Sequence, residues 1–167
     1  MNSPLAPGKF VRVRISATNV EIGQLISVDY KDNKATVETR SGFTISCRKS
    51  QIEPVMLVVC DLNGVLGSRR KKNDFLKRPD LDTFIPFLLN NFVVGIWSSC
   101  IRRNGEDIVR DCFGSHYESQ LLFMYFRDEC TPAPTKESPY ATIKDLNRLW
   151  SEYPQSFDQS NTIKWIS

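Results

Sequence analysis

The chain has 167 residues, 41% apolar and 25% charged, with a formal net charge of +3. This length supports one good core or two small ones, and the composition excludes disordered, fibrous and disulfide-dense classes. No apolar run reaches the roughly 18 residues of a membrane-spanning helix, and the N-terminus lacks a charged-then-apolar secretory signal, so an intracellular protein without a membrane partner is expected.

The first part reads as short β-type segments. Lys9–Ser16 alternates apolar and polar residues, and Gln24–Tyr30, Ala35–Arg40 and Phe43–Cys47 follow, with turns at Lys31–Lys34 and Ser41-Gly42. This spacing predicts a small, strongly bent antiparallel barrel over residues 1–53, similar in strand rhythm to SH3-like barrels of the Tudor class. Phe10, Tyr30 and Phe43 are its only aromatic residues. They are expected to fill the core rather than to build an aromatic cage for methylated side chains. Arg12, Arg14, Arg40 and Arg48 form either a basic face for nucleic acid or chromatin, or an ordinary solvent-facing edge.

A boundary near Gln51–Val55 opens a second part, residues 54–167, in which strands alternate with helical patterns. Met56–Cys60 is a run of five apolar residues and predicts a strand buried on both faces, as in the interior of a parallel sheet. The basic run Arg69-Arg-Lys-Lys72 is expected to be a solvated loop, with a nuclear address or an acidic-ligand contact as the other readings. Asp80–Asn90 reads as a helix with Pro79 at its start and Pro86 inside it. Phe92–Trp97 is a second strand, Glu106–Cys112 a helix ending at Gly114, and Leu121–Phe126 a third strand. A proline-rich loop, Thr131–Pro139, leads to a helix over Lys144–Ser151. Right-handed crossovers and a parallel sheet follow from that alternation.

Asp61 closes the first strand. In parallel sheets ligands bind at the carboxyl ends of strands, and a carboxylate placed there binds a cation, takes several hydrogen bonds, or attacks. Asp61-Leu-Asn-Gly-Val65 resembles the first motif of the haloacid-dehalogenase superfamily. Arg78-Pro-Asp-Leu-Asp-Thr-Phe84, Val94-Gly-Ile-Trp-Ser-Ser99 and Lys144-Asp-Leu-Asn-Arg-Leu-Trp150 then follow in the order found in phosphatases acting on the RNA polymerase II C-terminal domain, the NLI-interacting-factor-like group. The resemblance covers about residues 55–163. It implies a Mg²⁺-dependent phosphoserine/phosphothreonine phosphatase in a nuclear setting. Asp61 would be the nucleophile and, with the backbone carbonyl of Asn63, a metal ligand. Ser98, rather than Ser99, would hold a phosphoryl oxygen, and Lys144 would offset the charge on Asp61 and phosphate.

Two departures lower the expected activity. Asn63 stands where that family has an acid that moves protons, a role worth about 10²–10⁴-fold. The family's acidic pair after a further strand is also missing: Asn161-Thr-Ile163 fits the approach to that strand, but Lys164-Trp-Ile-Ser167 follows and Asp158 precedes it. Mg²⁺ binding is therefore expected to be weak. The chain is expected to lack the C-terminal part of its domain, as a short product of a longer gene would.

Other chemistries fit less well. Gly64-Val-Leu-Gly-Ser68 lacks the phosphate-loop spacing, and Asp61-Leu-Asn-Gly lacks the later acidic ligands of a calcium loop. Cys47, Cys60, Cys100, Cys112 and Cys130 include no Cys-x-x-Cys pair, and His116 is the only histidine, which argues for free buried thiols over zinc. The expected architecture is thus a small SH3-like β-barrel followed by a truncated Rossmann-like parallel α/β domain. The expected function is a weak or inactive phosphatase-like protein acting on a phosphoprotein. The alternative is a non-catalytic protein- or nucleic-acid-binding module.

Overall fold

The computed structural model describes residues 5–71, 74–157 and 163–166. Strands β1 (Phe10–Arg14), β2 (Val20–Asp29), β3 (Lys34–Thr39) and β4 (Thr44–Arg48) form an antiparallel meander. A 3₁₀ turn, Lys49–Gln51, then carries the chain to β5 (Ile52–Pro54), which pairs antiparallel with β1. The order is β4-β3-β2-β1-β5. Val20–Gln24 of β2 pair with β1 and Gly23–Asp29 with β3, with a bulge between Leu25 and Ser27 in the second ladder.

The expected closed barrel is not found. Among the described residues no ladder joins β4 to β5, because the three-residue β5 spends its pairing on β1. The result is an open antiparallel sheet with its own core of Val11, Val13, Leu25, Ala35, Val37 and Ile52.

The aromatic residues expected in that core are mostly elsewhere. Tyr30 is 61% exposed and Phe43 71% exposed. Branched aliphatic side chains fill the interior, while Tyr30 flanks the β2–β3 turn and Phe43 the β3–β4 turn. These turns lie at opposite ends of β3, so the two rings cannot converge on one ligand. Phe10 instead stacks on Phe157, ring centroids 5.3 Å apart.

The second part begins with β6 (Leu57–Cys60). A hairpin of β7 (Gly67–Lys71) and β8 (Asp74–Lys77) leads to α1 (Leu81–Asn91), β9 (Val93–Trp97), α2 (Arg102–Glu118) and β10 (Met124–Tyr125). A two-stranded ribbon of β11 (Thr131–Pro132) and β12 (Thr142–Ile143) precedes α3 (Asn147–Glu152), and β13 (Ile163–Ile166) is the last strand described. The sheet order is β10-β9-β6-β13, all parallel. The interior position of Met56–Cys60 beside Phe92–Trp97 matches the sequence expectation, and Ile163 opens the strand on the other side. Asp158 and Lys72 lie outside the described residues.

Four local expectations change. Arg69 belongs to the β7–β8 hairpin rather than to a loop. The second helix begins at Arg102 and resumes beyond Gly114, whose left-handed φ of 66° breaks it where an end was expected. The third strand keeps only two paired residues. The last helix begins at Asn147, because Thr142-Ile143 pairs with Thr131-Pro132.

Alternate side chains of β6 serve two cores. Val58 and Cys60 face α1 and α2 through Leu81, Ile85, Leu88, Val109 and Phe113. Leu57 and Val59 face Leu149 of α3, Phe157, and Ile22 and Val55 from the first part of the chain. Arg40, just after β3, adds a polar tie. Its Nη1 donates to the Leu89 carbonyl and its Nη2 to that of Phe92, both at 2.7 Å, at the C-terminal end of α1. A cation suits that negative helix end. Burial lowers the Arg40 pKa to about 10, partly offset by Glu21. Arg12 pairs with Glu53 and donates to Asn91 at 3.2 Å. Two of the four arginines considered for a nucleic-acid face are thus engaged within the protein.

Asp80 precedes α1 in the left-handed region, φ 63°, and its side chain makes no capping bond. Glycine adopts that conformation without a Cβ penalty. Asp80→Gly is expected to stabilise the fold by up to about 1 kcal/mol, read as a rise of about 2–4 °C in Tm by calorimetry.

Candidate active site

The site begins where β6 ends. With β6 buried on both faces, the chain turns out of the sheet at Asp61, and buried Leu62, Val65 and Leu66 anchor the loop that follows. Gly64, at φ 83°, makes the reversal, and its N–H donates to the Gly67 carbonyl at 2.8 Å. Arg78 holds this loop twice: its N–H donates to the Leu66 carbonyl at 2.9 Å, and its guanidinium to the Gly64 carbonyl.

Both Asp61 oxygens are engaged. Oδ1 accepts the Leu62 N–H at 2.6 Å, and Oδ2 accepts from Lys144 Nζ at 2.5 Å. The side chains are 21% and 12% exposed, which places this ion pair largely out of water. Lys144 reaches it from the segment between β12 and α3. Ser98 lies just past the end of β9, 1% exposed, with its N–H donating to the Tyr125 carbonyl at 2.9 Å. Cys60 pairs with Ile96, so Asp61 and Ser98 leave adjacent strands at the same edge. Ser99 is half-buried, and its carbonyl accepts from Arg127 Nε at 3.0 Å. Asn63 is exposed on the loop. The structure therefore brings Asp61 and Lys144 into contact and sets Ser98 at the end of the adjacent strand.

Sequence reasoning missed the braces around these groups. Glu129 Oε2 accepts the Phe126 N–H at 2.7 Å, while its Oε1 pairs with Arg102, whose guanidinium lies over the Phe126 ring. With Arg127, this ties the loop after β9 to the loop after β10. Tyr125 donates to Glu152, which also accepts from Arg148 at 2.9 Å, fastening α3 to the same edge. Burial and the Glu152 bond raise the Tyr125 pKa, so the hydroxyl stays protonated. Arg78 alone carried a signal, from its place in the Arg78–Phe84 block; the others become neighbours only through the fold.

A Mg²⁺ ion takes oxygen ligands, usually one or two carboxylates with waters or phosphate. Among the described residues no three His, Cys, Asp or Glu side chains cluster closely enough to hold a metal ion. Asp61 is tied to an ammonium and a backbone N–H.

The profile of NLI interacting factor-like phosphatases matches residues 24–164. The chain belongs to this family. The match carries the haloacid-dehalogenase type of fold, spans Asp61, Asn63, Ser98 and Lys144, and begins inside β2. A comparison with individually curated proteins gave no match. No helix among the described residues is long and apolar enough to cross a membrane.

Two predictions follow the geometry of this family member. Lys144→Met leaves a mostly buried carboxylate without its cation, and is expected to cost about 1–3 kcal/mol in denaturant unfolding. In the double variant with Asp61→Asn the cost is expected to fall well below the sum of the single ones. Cys60 is fully buried, and burial with the Asp61 charge pushes its thiol pKa up to about 12 from an ordinary 9.0. The unfolded thiol loses its proton first, so this group's contribution to stability declines above pH about 9. Iodoacetamide at pH 8 is expected to spare Cys60 in the native protein and to modify it in urea, as mass spectrometry would show.

Proposed function

We propose that this chain is a phosphatase-like protein that retains a phosphate-recognition edge and has weak or no hydrolytic activity. The supporting observation is the Lys144–Asp61 contact at 2.5 Å beside buried Ser98, with no metal-holding cluster among the described residues. An ammonium and a hydroxyl at one sheet edge offer a cation and a donor to a phosphomonoester. Turnover needs more. Asp61 carries two hydrogen bonds that stabilise its anionic form and blunt it as a nucleophile. Asn63 can donate a hydrogen bond but cannot move a proton, so neither protonation of a leaving oxygen nor activation of water has its usual agent.

A phosphoserine- or phosphothreonine-bearing protein is the substrate class or ligand this reading implies, in the intracellular and nuclear setting common to the lineage. A non-catalytic protein-binding module is the second reading, favoured by the same Asn63. Recognition of nucleic acid by the N-terminal sheet draws less support, because Arg12 and Arg40 are spent on Glu53, Asn91 and the end of α1.

The test is hydrolysis of p-nitrophenyl phosphate by the full chain with millimolar Mg²⁺. This substrate has a good leaving group and depends least on a general acid. The expected rate is close to background, and Asn63→Asp alone is expected to raise it by less than about tenfold, because it adds a proton-moving group without a cluster of acids among the described residues. Robust Mg²⁺-dependent turnover that Asp61→Asn abolishes would overturn the weak-activity reading.

A further inference from the structure

The β11–β12 ribbon carries a proline-rich tip that the candidate site does not use. Its ladder pairs Thr131 with Ile143 and Pro132 with Thr142, and the Ala133 N–H extends it by donating to the Ala141 carbonyl at 2.9 Å. Past that point Ser138, Pro139, Tyr140 and Ala141 form a β-turn, closed by the Ala141 N–H on the Ser138 carbonyl at 3.1 Å. Such a turn favours serine at its first position and proline at its second, where the ring presets the backbone angle. The Thr135 N–H also donates to the Ser138 carbonyl, at 3.0 Å, and the Thr135 hydroxyl oxygen accepts the Ser138 N–H at 2.9 Å.

These bonds hold the Ser138 backbone, and none of them runs through its hydroxyl. Every residue from Pro134 to Tyr140 is exposed, Tyr140 to 80%. The tip therefore displays a serine hydroxyl, followed directly by a proline, to open solvent. Proline gives that segment a distinct chemical face. It has no N–H to satisfy, its ring is apolar, and it keeps the preceding residue in extended backbone. An enzyme that accepts this step offers the residue after the serine an apolar slot instead of a hydrogen-bond acceptor.

The sequence contains three steps of a hydroxyl residue followed by proline: Ser3-Pro4, Thr131-Pro132 and Ser138-Pro139. Ser3 lies outside the described residues. Thr131 is exposed but opens β11, and its partner in the ladder is Ile143, directly before Lys144. Laying Thr131 out in another enzyme's cleft breaks that ladder. At Ser138 only the bonds of the tip have to give, and a ribbon end of this kind opens at low cost.

We propose that Ser138 is a phosphorylation site for a proline-directed serine/threonine kinase that uses a nucleoside triphosphate as donor. The bond between Ser138 Oγ and the γ-phosphorus forms as the bond from that phosphorus to the β–γ bridging oxygen breaks. The hydroxyl proton passes to the kinase's general base, and a nucleoside diphosphate leaves. The product adds about −1.5 to −2 charges to a tip on which Lys136 and Glu137 otherwise balance.

The experiment incubates the full chain with a purified cyclin-dependent kinase, ATP and Mg²⁺, and locates phosphate by tandem mass spectrometry over a time course. A synthetic peptide substrate of the same kinase in the same tube reports that the enzyme is active. Ser138 is expected to be the main site, with an initial rate roughly tenfold above that of Thr131, since local opening governs access. Pro139→Ala is expected to cut the Ser138 rate by about tenfold, the scale of one lost apolar pocket contact. That substitution also loosens the turn, which by itself would raise access, so a fall isolates recognition of the proline. Ser138→Ala is expected to abolish modification of this segment and to leave the unfolding midpoint unchanged.

The proposal is overturned if Ser138 stays unmodified while the peptide substrate is consumed. Phosphate appearing on Thr131 or Ser3 ahead of Ser138, or a Ser138 rate that Pro139→Ala leaves unchanged, would overturn it equally. Phosphorylated protein is expected to unfold at the same temperature as the unmodified chain. A midpoint lowered by several degrees would place the hydroxyl within the packing of the tip and overturn its open presentation.

Discussion

The burial of β6 on both faces is the constraint on which the rest depends. Leu57 and Val59 are fully buried on one side, and Val58 and Cys60 almost fully on the other. A strand with no solvated face must have paired neighbours along both edges and a layer of structure over each side. Strands β9 and β13 supply the pairing, α1 and α2 cover one side, and α3 with Ile22 and Val55 covers the other. A polar side chain can only follow where the strand runs out. Asp61 is that residue, and Lys144 meets it there.

The ion pair at that edge has a cost and a use. Two charges drawn mostly out of water lose hydration, which their mutual attraction and the Leu62 N–H must offset. Removing Lys144 would leave the Asp61 carboxylate without its cation. The pairing also fixes the carboxylate's orientation, and Arg78 fixes the loop after it through the Gly64 and Leu66 carbonyls. Preorganised charge of this kind suits recognition of a phosphate without requiring that its ester be broken. Among the described residues no cluster of three His, Cys, Asp or Glu side chains accompanies it.

The N-terminal sheet is joined to this edge's scaffold by means of different kinds. Ile22 and Val55 share an apolar cluster with Leu57 and Val59, and Phe10 stacks on Phe157. Arg40 is the directional part, since two carbonyls at a helix end accept its guanidinium in one geometry only. Those carbonyls would otherwise have lacked intrahelical donors, so the contact satisfies groups that the end of α1 leaves open.

Local pattern alone determined a good deal. The apolar runs at Met56–Cys60 and Phe92–Trp97 marked buried parallel strands, because such residues are stable only where both faces are covered. The periodic face of Leu81, Ile85, Leu88 and Leu89 marked α1, and Gly114 marked the break in α2 through its left-handed backbone. Family resemblance added Asp61, Ser98 and Lys144 as a set. Tertiary structure decided the rest. The hairpin at Arg69 and the ribbon at Thr131 and Thr142 looked like loops because charge and proline mask strand patterns a few residues long. Whether Tyr30 and Phe43 were buried depended on how β3 filled its core with smaller side chains. The four arginines read as either a basic face or a solvent-facing edge, yet Arg40 is bonded to carbonyls 49 and 52 residues away. Lys144 meets Asp61 across 83 residues. Backbone sterics and burial periodicity act over a few residues and can be read there, whereas such contacts exist only once the packed layers bring distant segments together.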